Sequence, residues 1–256
     1  MLEQINVKDI IAIAQQAGKA ILEIYNQPIK VEYKDDKSPL TAADKASNDV
    51  INEGLQRLYP QIPILSEENR EVAFEERKDW DCFWLVDPLD GTKEFIKRNG
   101  EFTVNIALIK DGKPVLGVVD LPVKSETYYA STLIGAHKII DGNSKEINTI
   151  KPTKEKLIVM ASRSHLNEDT QAFIDEQKKY FDAVDFISAG SSLKLCFVAE
   201  GKAHMYPRYA PTMEWDTGAG QAVAECAGAS VTQAGTNKAL EYNKENLLNP
   251  YFLVSA

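Results

Sequence analysis

Apolar residues recur at Ile10, Ala14, Ala17, Ile21 and Ile24, and these steps of three and four predict an amphipathic helix over Ile10–Tyr25. Val31–Tyr33 reads as a short strand and Lys34–Ser38 as a polar turn. A second helical pattern spans about Thr41–Leu58 and stops before Pro60, which cannot continue it. The compact apolar runs Ile62–Leu65 and Phe83–Val86, bounded by polar residues, predict buried strands. Beyond Thr92 the chain becomes strand-rich: Thr103–Ile109, Val115–Val119 and Thr127–Ala130 are separated by turn signals at Asp111-Gly112 and Pro122. In the second half, Leu157–Met160, Val184–Ile187 and Tyr251–Val254 read as strands. They alternate with helical stretches at Glu168–Tyr180, Leu193–Ala199 and Trp215–Ala227. This interleaving predicts an α/β protein with layers of helix and sheet in one body.

At 256 residues the chain stands near the upper limit for one hydrophobic core, so the expectation is one unit with two lobes. The 38 acidic and 29 basic residues give a net charge of −9. That field repels nucleic-acid polymers and anionic lipid. A small anionic substrate remains compatible with it, provided local cations or metals reverse the field inside a cleft. Cys82, Cys196 and Cys226 are too few and too widely spaced for a disulfide framework or zinc knuckle, and read as small buried apolar residues in a reducing compartment. Met1-Leu2-Glu3-Gln4 lacks the basic start of a signal peptide, and no run of about 18 apolar residues crosses a membrane. The expectation is a cytoplasmic chain without an integral membrane segment, monomeric by default.

Four carboxylates stand out by placement. Glu67 follows Ile64-Leu65, Asp87 ends the run Phe83–Val86, Asp90 follows three residues later, and Asp216 opens the helix near Trp215. Carboxylates at strand ends and helix starts point into clefts, and hard oxygen donors of this kind suit Mg²⁺. Gly91 permits a tight backbone, and Thr92 begins a short helical run to Ile96 whose free N–H groups favour a phosphate oxygen. Each feature also has a plain structural reading: Asp87–Gly91 as ordinary turn chemistry, Glu67 as a solvated loop residue, Asp216 as a helix cap. Spacing and composition leave both readings open.

Sequence resemblance bears on that choice. Asp87-Pro88-Leu89-Asp90-Gly91-Thr92 and Trp215-Asp216-Thr217-Gly218-Ala219-Gly220 resemble the two signatures of the inositol monophosphatase superfamily. Leu65-Ser66-Glu67-Glu68 is similar to its glutamate motif and Thr41-Ala42-Ala43-Asp44 to its early aspartate motif, all in the family's order. Lys93–Thr103, Gly190-Ser191-Ser192-Leu193-Lys194 and Tyr206-Pro207-Arg208 look like a bacterial group of 3′(2′),5′-bisphosphate nucleotidases within it.

The resemblance implies an αβαβα sandwich and the removal of the 3′-phosphate from adenosine 3′,5′-bisphosphate, a by-product of sulfate assimilation. It implies two or three Mg²⁺ ions: one on Glu67, Asp87 and the carbonyl of Leu89, a second on Asp87, Asp90 and Asp216, and a weaker third on Glu67 and waters. Asp44 would pair with the Thr92 hydroxyl and activate the attacking water. Substrate contacts would come from Glu67, Leu89, Asp90, Gly91, Thr92 and Asp216, with Ser191, Ser192, Lys194 and Arg208 meeting the 5′-phosphate. Lys194 and Arg208 also read as ordinary surface charges. Glu214 is a further candidate for a ribose or cation contact. Residues 1–150 would form a metal-binding lobe and residues 151–256 a substrate-specificity lobe. Lithium inhibition is a further implication, and some relatives associate with the cytoplasmic face of the inner membrane.

Other catalytic patterns fail. Gly112 to Gly117 continues with Val118 where a phosphate-binding loop needs lysine, and no Gly-x-Ser-x-Gly elbow exists. His137, His165 and His204 are scattered and read as surface or loop residues. Three alternatives to the nucleotidase stay open: an inositol monophosphatase, a broad sugar phosphatase, and a catalytically idle metal-binding regulatory protein.

Overall fold

The computed structural model describes residues 2–25, 31–33, 39–69, 71–161 and 167–256, with 31–33 and 39–41 as backbone. The expected polar turn at Lys34–Ser38 and the predicted loop histidine His165 lie outside the described residues.

Helix α1 (Val7–Tyr25) buries Ile10, Ile13, Ala14, Ala17 and Ile21 along one stripe, as its period requires. A two-stranded ribbon, β1 (Val31–Tyr33) antiparallel to β2 (Pro39–Thr41), leads into α2 (Ala42–Leu58), which packs beside α1. Then follow β3 (Ile64–Ser66), the short helix α3 (Phe74–Arg77), β4 (Cys82–Asp90) and the six-residue helix α4 (Thr92–Lys97). Strands β5 (Thr103–Lys110), β6 (Lys113–Leu121), β7 (Glu126–Ser131), β8 (Gly135–Ile140) and β9 (Asn143–Glu146) extend the sheet as an antiparallel meander. The resulting seven-stranded sheet has the order β3-β4-β5-β6-β7-β8-β9, and only β3 and β4 run parallel.

The second half supplies β10 (Leu157–Met160), α5 (Glu168–Gln177), β11 (Val184–Ile187), α6 (Leu193–Ala199), β12 (Met205–Arg208), α7 (Glu214–Cys226), β13 (Ser230–Gln233) and β14 (Phe252–Ser255). Its five strands form a sheet of order β11-β10-β12-β14-β13. Helices α1 and α2 cover one face of the large sheet, and α6 and α7 lie between the two sheets. Helix α5 closes the outer face of the small sheet, packing its Ile174 against Leu157 and Val159 of β10. The layers therefore run α, β, α, β, α, as the sequence resemblance implies.

The central strands are buried on both faces, which is why β4 reads as a continuous apolar run. Alternation still assigns each side chain: Trp84 and Val86 join the core under α1 and α2, while Phe83 and Leu85 join the core under α6 and α7. Helix α7 lies so close to β6 that a Cβ at Gly117 would stand 2.3 Å from the carbonyl oxygen of Ala219.

The hairpin β8–β9 and strand β13 are additions to the sequence-derived elements, as is α3. The four residues of β9 are all exposed, so no apolar period marks them; the Asp141-Gly142 turn, with φ of 51° and 75°, organises the hairpin. A larger difference concerns Asp87–Asp90. The sequence suggests a turn there, whereas β4 continues through Pro88 to Asp90 with a shift in register against β5.

Candidate active site

That shift places the acidic residues. Asp87 follows Phe83 and Leu85 on the face beneath α7, opposite Asn105 of β5. In a regular strand Asp90, three residues on, would point to the other face. The irregularity between Asp87 and Asp90 pairs Asp90 with Thr103 and returns its carboxylate to the same side. Asp216 arrives from the first turn of α7. One carboxylate oxygen from each of Asp87, Asp90 and Asp216 lies within 4.8 Å of the others.

Each carboxylate has one oxygen fixed by a donor. The Leu89 N–H donates to Asp87 Oδ1 at 3.1 Å, and the Met213 N–H donates to Asp216 Oδ2 at 2.8 Å. Ser192 Oγ donates to Asp90 Oδ2 at 2.9 Å. Asp90 also takes the Ser192 backbone N–H and Asn105 Nδ2 at 3.4 Å, while Asp87 Oδ2 and Asp216 Oδ1 have no hydrogen-bond donor among the described residues.

Electrostatics describe the same cluster. Asp87, only 1% exposed, has its carboxyl held well above the usual range, by burial first and then by Glu67, Asp90, Asp216 and Asp44. Burial also raises Asp90, opposed by the charge of Lys194 and by Ser192 and Asn105. Asp216 is pushed up to about 7, by burial and then by Asp90. Buried like charges this close cannot all ionise at neutral pH without a cation among them. Hard oxygen donors, buried and crowded within 4.8 Å, fit a divalent ion of the Mg²⁺ class.

The cluster forms one wall of a cavity of about 750 Å³. Of the residues expected at the site, Glu67, Asp87, Leu89, Asp90, Gly91, Thr92, Ser191, Lys194, Arg208 and Asp216 all line it. The Leu89 side chain is buried in the apolar core, so its backbone is the part that can serve the cavity. Gly91, at φ +94°, turns β4 into α4 and sets Thr92 at the helix start. Lys194 Nζ, also on the cavity lining, donates to Ser191 O at 2.7 Å, and burial lowers the lysine's pKa while Asp90 raises it. Arg208 donates to the carbonyls of Ala210 at 3.2 Å and Pro211 at 3.0 Å. Asp44 is buried in the first turn of α2, close enough for its charge to raise Asp87.

Two of the expected residues stand apart from the cavity lining. Ser192 is 2% exposed, and its hydroxyl is engaged with Asp90 and the Asp216 carbonyl. Glu214 is fully buried, bonded to the Asn243 and Lys244 N–H groups and to Lys244 Nζ. Sequence reasoning also passed over Asn105, whose Nδ2 donates to Ser192 Oγ at 3.0 Å beneath Asp90. An asparagine between Val104 and Ile106 in an apolar strand was the available signal.

A model of the inositol monophosphatase family matches residues 2–254. The chain is 48% identical to the 3′(2′),5′-bisphosphate nucleotidase CysQ of Salmonella typhimurium over 258 residues, which covers 100% of this chain and 99% of the relative. It is 42% identical to the protein of the same name from Buchnera aphidicola, covering 96% of this chain and 92% of that one. Among solved structures it resembles CysQ from Bacteroides thetaiotaomicron, at 46% identity and a TM-score of 0.84, covering 97% of this chain and 96% of that one. The inositol monophosphatase of Thermotoga maritima, at 22% identity and a TM-score of 0.75 over 97% of this chain and 91% of that one, shares the fold.

Proposed function

The chain belongs to the inositol monophosphatase family, and from that premise we propose that it is a Mg²⁺-dependent 3′(2′),5′-bisphosphate nucleotidase that converts adenosine 3′,5′-bisphosphate to AMP and phosphate. The observation that carries this reading is the lining of one cavity, which offers both the carboxylates Asp87, Asp90 and Asp216 and the cations Lys194 and Arg208. A substrate with two phosphates can use both sets of groups, while a simple monoester needs only the first. The names of the CysQ relatives support the same substrate. A role in disposing of this by-product of sulfur assimilation follows from it.

Glu67, Asp87, the Leu89 carbonyl, Asp90 and Asp216 would hold the ions, two or three in number. Bound there, Mg²⁺ would neutralise the cluster, polarise the 3′-phosphoryl group and make a water easier to deprotonate. The chain's own residues do the rest. Thr92 would orient the attacking water through its hydroxyl oxygen and accept the proton that water releases, as Asp44 takes up the hydroxyl's own proton. A hydroxyl suits that contact beside cations, because a carboxylate there would be captured as a ligand. Gly91 and Thr92 present backbone to the transferring group, and Lys194 and Arg208 hold the 5′-phosphate at a fixed distance from it.

Specificity constants decide the matter. Adenosine 3′,5′-bisphosphate should exceed inositol 1-phosphate and sugar phosphates by at least an order of magnitude, with no phosphate release when Mg²⁺ is chelated. Equal constants across the panel would leave a broad phosphatase, and no turnover with Mg²⁺ would leave a metal-binding protein without catalysis.

A further inference from the structure

Helix α2 carries Asp44 in its first turn and presents Ser47, Asn48 and Asn52 on neighbouring positions of the same side, three, four and eight residues on. Ser47 Oγ donates to the carbonyl of Pro88 at 2.7 Å, inside the segment from Asp87 to Leu89. Asn48 Oδ1 accepts from Ser66 Oγ at 2.8 Å, and its Nδ2 donates to Asn69 Oδ1 at 2.9 Å. Asn52 Nδ2 donates to Asn69 Oδ1 at 3.1 Å and to the Asn48 carbonyl at 2.8 Å, while Asn69 Nδ2 returns a bond to Asn52 Oδ1 at 3.0 Å. Glu67 lies between Ser66 and Asn69, so the turn that bears it is tied to α2 on both sides. Its own N–H donates to Val86 O at 3.1 Å, one residue before Asp87.

We propose that the carboxamides of Asn48, Asn52 and Asn69, with the Ser66 hydroxyl, form a clamp that positions Glu67 for metal binding. Asn48, Asn52, Asn69 and Ser66 are positioning residues, and the proposal rests on the reading of Glu67 as a metal ligand. The reciprocal pair between Asn52 and Asn69 holds the two amides together, and their further bonds fix the orientation: Asn52 Nδ2 must face the Asn48 carbonyl and Asn69 Oδ1 must face Asn48 Nδ2. A single hydrogen bond would hold the turn without setting its angle. The clamp also references Glu67 to the helix that bears Asp44, and Ser47 references Pro88 to the same helix. One rigid element thereby sets the spacing among Asp44, Glu67 and Asp87, groups that arrive from three separate segments. A glutamate that must reach an ion fixed by neighbouring aspartates can correct a misplaced backbone only by leaving its preferred side-chain torsions, so loss of the clamp should appear as lost metal affinity.

The test is Mn²⁺ titration by calorimetry on the full chain, without substrate, alongside the melting temperature. Asn69→Ala should weaken Mn²⁺ binding about tenfold, within the range for residues that orient metal ligands. In a Glu67→Gln background the same substitution should cause no further loss. Should Asn69→Ala fail to fold, Ser66→Ala removes one hydroxyl of the clamp and is read in the same way. Unchanged Mn²⁺ affinity with a lowered melting temperature would make the amides merely structural and overturn the clamp alone. So would an equal loss in the Glu67→Gln background. Absence of Mn²⁺ binding by the unsubstituted chain would overturn the metal reading and the clamp with it.

Discussion

Ser192 Oγ donates to Asp90 Oδ2 at 2.9 Å although the two residues stand 102 positions apart in the chain. The same oxygen lies 2.7 Å from the Asp216 carbonyl and accepts from Asn105 Nδ2 at 3.0 Å. Ser192 therefore links the end of β4, the start of α6 and the first turn of α7 behind the acidic wall. Removing it in Ser192→Ala should leave the fold intact and weaken divalent-ion affinity about tenfold, as loss of an orienting partner does. Calorimetric Mn²⁺ titration measures this, and an unaltered affinity would reject the linking role.

Arg208 and Lys194 offer a kinetic separation. Arg208→Ala should raise KM for adenosine 3′,5′-bisphosphate by about 10- to 100-fold, the worth of a hydrogen bond to a charged group. A substrate lacking the 5′-phosphate should change little. A parallel loss on both substrates would place Arg208 in general support of the site.

Thr92→Ala addresses the chemistry instead of the binding. It should lower kcat by a factor of about 10² to 10⁴, typical of lost proton-transfer assistance. Metal affinity should stay nearly intact, because Thr92 is outside the carboxylate cluster. Steady-state rates at saturating Mg²⁺ and an independent metal titration separate the two quantities.

Gly117→Ala tests the contact that seats α7. The new Cβ would stand 2.3 Å from Ala219 O and 2.8 Å from Ala222 Cβ. Overpacking of this kind costs about 1–3 kcal/mol. In a chain of this size each kcal/mol lowers Tm by roughly 2–4 °C. Because α7 delivers Asp216, metal affinity should fall together with Tm, and calorimetry of both would show it.

Asp120 governs part of the pH dependence of stability. It is buried on β6, and the Thr127 hydroxyl donates to Asp120 Oδ1 at 2.7 Å. Burial pushes its carboxyl from 3.8 up to about 6, against the opposing hydrogen bond. The folded chain thus holds this proton more tightly than the unfolded chain. Its contribution to stability is full below the unfolded value and is lost as pH rises through about 6, an effect of up to about 3 kcal/mol. Asp120→Asn should flatten that part of the Tm curve between pH 4 and pH 7.5. A curve that keeps its slope would assign the effect elsewhere.

Much of the fold was legible because its signals are local. The stripe of α1, the apolar run of β4 and the matching limits of β11 and α6 all follow from spacing along a few turns or residues. Strand β9 escaped because its exposed Asn143–Glu146 carries no apolar period, and β13 because one buried residue, Val231, is too little pattern. The acidic segment was equally visible as chemistry, but its conformation was not. Asp-Pro and Asp-Gly are turn-like dipeptides, yet here the neighbouring strand β5 holds them in a ladder whose register breaks once.

The sequence by itself determined which groups are candidates: Glu67, Asp87, Asp90, Thr92 and Asp216 stand out by residue type and position relative to apolar runs, and the family motifs, not the spacing, favour chemistry over plain turns and caps. Tertiary structure alone decided which of them share a face. Alternation would send Asp90 away from Asp87, and the broken register against β5 returns it. Helix α7 brings Asp216 within reach because Gly117 lets it lie against β6, while Ser192 and Glu214 are turned away from the cavity into hydrogen bonds of their own. These are contacts between segments distant in the chain. Each depends on how closely two backbones approach and where a ladder slips, quantities that no local pattern of side chains encodes.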